Sequence, residues 1–319
     1  MYFCWEKDKV SRSSLREFLQ RYGLVISFLL LCLVLSLLSD RFLTVSNLTN
    51  VLRQSTINLI IAIGMTYVIL TAGIDLSVGA VLALSTVVTA DLLQRGIPIF
   101  PTVVIGLTLG GILGMASGLL ISRVKVPPFV ATLGMMTVAR GLALTYTQGR
   151  PITGLPDSFR YVGTGFLGPI PMPIIVAGVT FIAGYILLTR TRMGMNIYAL
   201  GNNPVAAHYT GIATSNYITG VYVLAGALAA LAGMILVARL DSAQPTAGIS
   251  YEFDAIAAVV VGGTSFAGGE GSLLGTLLGV LVISVLNNGL NLLNVSSFYQ
   301  PVVTGIVIAL ALLLYKAVR

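Results

Sequence analysis

The fold class this sequence predicts is an all-α polytopic membrane protein of about ten transmembrane helices, some of them broken or re-entrant. Three observations predict it. Hydrophobic residues make up 56% of the 319-residue chain and charged residues 9%, against roughly 25% charged in a soluble domain. Mean hydropathy is +0.95. The apolar residues are also gathered into segments close to the ~20 residues that a bilayer's hydrocarbon core requires.

In chain order these segments centre on 24–39, 57–71, 78–93, 100–121, 127–147, 173–189, 217–238, 254–268, 273–293 and 299–315. A basic tail over 1–23 precedes the first. No small-x-small cleavage site follows it, so the segment reads as a retained span and not a signal peptide. Glycine and polar residues interrupt the second, third and eighth segments. Residues 24–315 then form a single transmembrane domain with a polar loop over 190–216 and a short tail at 316–319. The net charge of +7 does not indicate nucleic-acid binding, because the basic residues are scattered between apolar segments. Cys4 and Cys32, one in the tail and one in the first span, form no disulfide framework.

Loop charges set the orientation, since Lys and Arg concentrate on the cytoplasmic side. With the N-terminus inside, the inner segments hold Lys7, Lys9, Arg12, Arg16, Arg21, Arg123, Lys125, Arg190, Arg192, Lys316 and Arg319. The outer segments hold fewer: Arg41, Arg53, Arg95, Arg150, Arg160 and Arg239. The bias predicts both termini in the cytoplasm and an even number of spans.

Two glycine-rich interruptions divide apolar stretches, one over 71–79 (TAGIDLSVG) and one over 262–272 (GGTSFAGGEGS). Each places an acid two positions before a serine: Asp75 and Ser77, then Glu270 and Ser272. Non-helical backbone at membrane depth survives only under protein or beside water, and paired breaks can mark internal repeats around a transport path. Gly118-Leu119 to Gly134 echoes Gly289-Leu290 to Gly305. The two echoes do not share an offset, however, and the span order puts both acids on one side. A real repeat, a re-entrant eighth segment and an accident of composition therefore all stay open. Gly106, Gly110 and Gly114, at helical spacing, suit close packing of transmembrane helices.

Between the sixth and seventh segments lies a polar island, Thr191 to Ile212, reading TRMGMNIYALGNNPVAAHYTGI. Asn203 suits an N-cap, Pro204 the first helical turn and Gly211 a left-handed terminus. One short helix over 204–210 is predicted, about 10 Å long, with Ala206 and Ala207 as a small-residue face. Charge counting places it in the cytoplasm, where it is a candidate docking peg.

Several chemistries are missing. No lysine has the context of a phosphate-binding loop. The sole histidine, His208, lies on the short helix, so neither a catalytic triad nor a histidine metal site can be assembled. The ionisable groups at candidate membrane depth are Asp75, Arg140 and Glu270, too few for a proton relay. An Arg140–Asp75 pair is one arrangement the sequence permits. No catalytic constellation exists, and the energy source lies elsewhere.

Five stretches carry a likeness: VILTAGIDLSVGA (68–80), ATLGMMTVARG (131–141), ALGNNPVAAHYTGI (199–212), ARLDSAQPTAGISYEFDAIAAVVVGGTSFAGGEGS (238–272) and NNGLNLLNVSSFYQ (287–300). From about Phe42 to Ala311 the chain resembles the permease subunit of bacterial ABC importers for monosaccharides, most closely the ribose type. The resemblance implies two permease chains, as a homodimer or paralogous pair, in a bacterial inner membrane. It also implies a separate cytoplasmic ATPase holding ATP and Mg, a periplasmic sugar-binding protein, no cofactor on this chain, and a fold related to the vitamin B12-type importers. The family's ATPase-coupling loop falls on Gly201, Asn202, Asn203, Pro204, Ala206, Ala207, Gly211 and Ile212. Glu270 and Ser272 stand where the ribose pattern has basic residues.

Sugars are neutral polyols, so a path for them needs amides, hydroxyls and aromatic faces. Candidates are Thr66, Asp75, Ser77, Thr264, Ser265, Asn287, Asn288, Asn291, Phe298, Tyr299 and Gln300, though each asparagine could equally bind helices together. Asp241, Gln244, Glu252 and Asp254, in the outward loop, are candidates for contact with the binding protein or for an ordinary solvated loop. A secondary sugar carrier driven by an ion gradient is the alternative reading.

Overall fold

The computed structural model describes residues 23–307 and 309. The N-terminal tail with Cys4, the end of the tenth predicted segment and residues 316–319 lie outside that range. The described residues are overwhelmingly helical. Their order is α1 (Gly23–Leu38), α2 (Val45–Leu70), α3 (Val78–Gln94), α4 (Ile99–Ser122), α5 (Pro128–Thr147), α6 (Asp157–Thr164), α7 (Met172–Arg190), α8 (Arg192–Asn202), α9 (Pro204–Tyr209), α10 (Thr214–Leu240), α11 (Tyr251–Val261) and α12 (Leu273–Leu292). A 3-10 turn at Ser297–Tyr299 leads into a helix, α13, over 300–307. Two ladders of two-residue strands, Ile152–Thr153 with Ser242–Ala243 and Phe166–Leu167 with Ile170–Pro171, close loops.

Among the described residues six helices are long and apolar enough to cross a membrane: α2, α4, α5, α7, α10 and α12. Two of the sequence's boundaries are corrected. The second span, predicted over 57–71, begins at Val45. There Thr44 caps the helix through Asn47 N–H at 3.3 Å, and the polar run before Ile57 had masked that first half. The eighth, predicted over 254–268, is an 11-residue helix only. Gly262 ends it, and Gly263 follows at φ +88°, a conformation that suits glycine.

Helices α2 and α10 are the most enclosed of the six, with α4, α5 and α7 turning more of their surface outward. Helix α4 meets α10 backbone to backbone. A Cβ at Gly110 would collide with the Gly226 carbonyl, one at Gly114 with that of Tyr222, and one at Gly118 with the Thr219 Cα. The packing reading of the regular glycine spacing therefore holds for Gly110 and Gly114, and Gly106 joins them against Thr89 and Met234. Without water to exclude, helices in lipid associate through such close van der Waals contact.

The bundle has two distinct ends. At one, the C-terminal ends of α2 and α8 converge with the 262–272 loop. At the other, the C-terminal ends of α3, α5 and α10 meet α6 and the first ladder. There Asp241 accepts the Leu155 N–H at 2.8 Å, the Gln94 amide donates to the Thr153 carbonyl, and Arg95 pairs with Asp91 at 2.9 Å.

Candidate functional site

The polar island folds into two helices where the sequence predicts one. Thr191 caps α8 through Met193 N–H at 3.2 Å, a start signal hidden behind Arg190 and Arg192. Helix α9 forms as its residues dictate. The Asn203 Oδ1 accepts the N–H groups of Val205 at 3.1 Å and Ala206 at 3.0 Å. Pro204 takes the first helical position, and Gly211 follows at φ +83°. Its small-residue face needs correction. Ala206 is exposed, but Ala207 is 4% exposed and packs inward, because it sits on the side of the turn that faces α8. The outward face carries Val205 (64% exposed) and Tyr209 (85%) one helical turn apart, with His208 beside them. Their i, i+4 spacing was the signal available for that apolar pair.

The 262–272 loop lies directly against this element. Gly269 N–H donates to the Leu70 carbonyl at 2.9 Å. Asn202 Nδ2 donates to the Gly269 carbonyl at 3.2 Å, and the Tyr198 hydroxyl to the Gly271 carbonyl at 2.8 Å. Burial holds the Tyr198 phenol above its ordinary value, so it keeps the proton it donates. Gly201 is buried where a Cβ would strike both the Leu70 carbonyl and the Gly269 backbone. Glu270 is exposed on the same end, and Ser272 caps α12 through Gly275 N–H at 3.0 Å. One junction thus links α8–α9, the end of α2 and the approach to α12. Ile212 follows as a half-buried residue leading into α10.

The candidate path residues separate into three places. Thr66 is a tie between helices: its hydroxyl bonds that of Thr276 across α2 and α12 at 2.8 Å. Asn288 does the same by exchanging hydrogen bonds with Asn47 at 2.9 and 3.0 Å. Asp75, Ser77, Thr264 and Ser265 are buried at or beyond the 71–77 break and in the 262–272 loop. Asn287 and Gln300, by contrast, line a cavity of about 490 Å³ between α11, α12 and α13. Gln300 is steadied by donating to Asn291 Oδ1 at 2.9 Å. Phe298 and Tyr299 stand exposed on the turn above it.

The outward-loop candidates divide likewise. Gln244 is exposed and Asp241 half-buried, the latter within 3.7 Å of Arg160 Nε. Glu252 is 7% exposed and so presents nothing to a soluble partner. Asp254 lines the cavity. Arg140 does not pair with Asp75, which accepts from the Ser77 N–H and hydroxyl at 2.8 and 2.6 Å. Its Nη1 donates to the carbonyls of Pro245 at 2.7 Å and Ala247 at 2.8 Å, with Glu252 as an electrostatic neighbour. Sequence reasoning missed this clamp; a lone Arg inside an apolar span was the only signal for it.

Comparison with known proteins gives the end-to-end likeness. The chain is 52% identical over 298 residues to the ribose import permease protein RbsC of Bacillus subtilis strain 168, which covers 93% of this chain and 92% of that protein. It is 48% identical to the RbsC of Escherichia coli strain K12, with 91% of each chain covered. It is 40% identical to the D-allose transport system permease protein AlsC of the same organism, with 92% of each covered. No solved structure matches. A family model, described as the branched-chain amino acid transport system / permease component, matches residues 47–312, and the chain belongs to that permease family.

Proposed function

We propose that this chain is the membrane-spanning permease of an ATP-binding cassette importer that moves a monosaccharide, ribose, from periplasm to cytoplasm. The carrying observation is the identity to ribose and allose permeases along almost the whole chain. In this reading the chain crosses a bacterial inner membrane ten times with both termini cytoplasmic. The eighth crossing is shared between the turn-rich 241–250 segment and the short helix α11. The fold is of the vitamin B12-importer type, and a second permease chain, identical or paralogous, completes the path.

The motor is a separate ATPase that holds ATP and Mg, and a periplasmic sugar-binding protein delivers the cargo at the end bearing Asp241 and Gln244. Coupling falls on Gly201–Ile212. The supporting geometry is the exposed, side-chain-capped α9 with Val205 and Tyr209 outward. An exposed apolar pair on a rigid turn suits an anchor in a partner's groove. The 262–272 loop, beneath α8 and carrying exposed Glu270, borders that contact.

The test is co-purification. Replacing Tyr209→Ala together with Val205→Ser should cut the ATPase recovered with the chain by about tenfold or more, as loss of a central anchor does, while membrane insertion is retained. Undiminished recovery would remove α9 from the interface. Uptake of ribose by this chain alone, driven by a proton or sodium gradient, would remove the ATP-driven reading altogether.

A further inference from the structure

The cavity between α11, α12 and α13 has a chemistry of its own. Its volume of about 490 Å³ lies in the range of small-molecule sites, roughly 300–1,000 Å³. Asn287 lines it, is 8% exposed, and has an amide oxygen that is buried with no hydrogen-bond partner. That oxygen is closed off from the cavity, so the part of the Asn287 side chain that can meet a ligand there is its amide N–H₂, a donor. Across from it is the Asp254 carboxylate, an acceptor held by the Thr304 hydroxyl at 3.4 Å. Gln300 supplies an amide, and Tyr251 and Phe253 supply rings.

This set discriminates between cargo classes. The cavity's lining, among the described residues, contains no Lys, Arg or His. An amino-acid carboxylate, the cargo the family's description names, would find no cation there and would meet Asp254. Burying two like charges without a counter-ion is strongly unfavourable. A neutral polyol meets no such barrier, because its hydroxyls can donate to Asp254 and accept from the amides of Asn287 and Gln300. The apolar face of its ring can rest on Tyr251 or Phe253.

We infer that this cavity is a monosaccharide-binding station within the permease, in which Asp254 and Asn287 read the sugar hydroxyls. The inference deepens the proposed importer function and rests on it. It also assigns Asp254 to the cargo and not to the binding protein.

Saturation-transfer NMR on the full-length chain in lipid nanodiscs, with D-ribose as probe, tests it directly. The wild-type chain should transfer saturation to ribose, and L-leucine should not compete. Asn287→Leu and Asp254→Asn should each weaken ribose binding about tenfold, the effect of losing one hydrogen bond to a buried polar group. Asn288→Ala, one residue along but paired with Asn47 away from the cavity, should stay within about twofold. Absence of a ribose signal from the wild type, competition by leucine, or equal losses in all three variants would each overturn the station. A parallel uptake assay on the complete transporter, with its ATPase and binding protein, separates the two levels. If the complete wild-type transporter imports no sugar, the importer function falls. If it imports ribose and Asn287→Leu imports it equally well, only the station falls.

Discussion

Two places where backbone leaves the helical state inside this bundle, before α3 and before α11, are satisfied in different ways. Between α2 and α3 the break is short and nearly self-contained. Gly73 N–H returns to the Val68 carbonyl at 3.0 Å, and Asp75 accepts from Ser77 two residues on. The Ile74 carbonyl takes two neutral hydroxyls, from Thr132 and Tyr222, each at 3.3 Å. Before α11 the break is longer and made mostly of turns, and a cation braces it: one nitrogen of Arg140 serves both Pro245 and Ala247. The breaks touch, since a Cβ on Gly248 would crowd the Gly79 backbone. Where water is excluded every backbone polar group needs a partner. The first break spreads that requirement over several weak donors; in the second, turn N–H groups serve the Gln244 and Gly248 carbonyls, and Arg140 alone serves those of Pro245 and Ala247.

Breaking that single point should therefore have the largest effect. Arg140→Met leaves two carbonyls bare, each at a cost of about 1–3 kcal/mol if they stay buried. We expect a clear loss of stability in SDS-titration unfolding and loss of ribose uptake by the assembled transporter. Arg140→Lys should recover much of both, because the two bonds come from one nitrogen and an ammonium carries three donors. A stable, active Met variant would show that the 241–250 segment holds its place without the clamp. Equal damage from Lys and Met would assign the role to the planar guanidinium instead.

How much of this was legible in the sequence depends on the range of the interaction. The Asn203 cap, the Pro204 start and the Gly211 stop are local, and they were read from nine adjacent residues with the helix bounds nearly right. The glycines facing α10 were legible too, because helical spacing of small residues has one common physical use. Two features were not. The first half of α2 is polar, and hydropathy is blind to a helix that tertiary packing and a Thr44 cap support. Arg140's partners lie more than a hundred positions away, and they are carbonyls, which every residue has, so no pattern of side chains announces them. The same reason scattered the path candidates. Thr66, Asn287 and Asn288 read alike as polar residues in apolar helices, yet only the fold separates a helix tie from a cavity wall.

At the first break the expected effects shrink. Asp75→Ala removes the acceptor for the Ser77 N–H and hydroxyl, and leaving that buried N–H unpaired costs about 1–3 kcal/mol. Asp75→Asn keeps an acceptor oxygen in place and should restore most of that stability by the same SDS titration. If Asn is as damaging as Ala, the carboxylate charge and not the acceptor alone is what the break requires.

The smallest effect belongs to Tyr222→Phe, and it is the most diagnostic of shared support. The phenol gives one 3.3 Å bond to the Ile74 carbonyl, and a single neutral hydrogen bond is worth about 0.5–1.5 kcal/mol. Thr132 still serves that carbonyl after the substitution, so the loss should fall at the low end of that range. Thr132→Val alone should be similarly mild, since its hydroxyl also bonds its own helix at 2.9 Å. The double variant leaves the carbonyl bare and should cost more than the two single losses added together, as for groups sharing one partner. Simple additivity would mean that Ile74 finds another donor when both hydroxyls are gone. The Ile74 carbonyl would then be more adaptable than those of Pro245 and Ala247, which Arg140 alone serves.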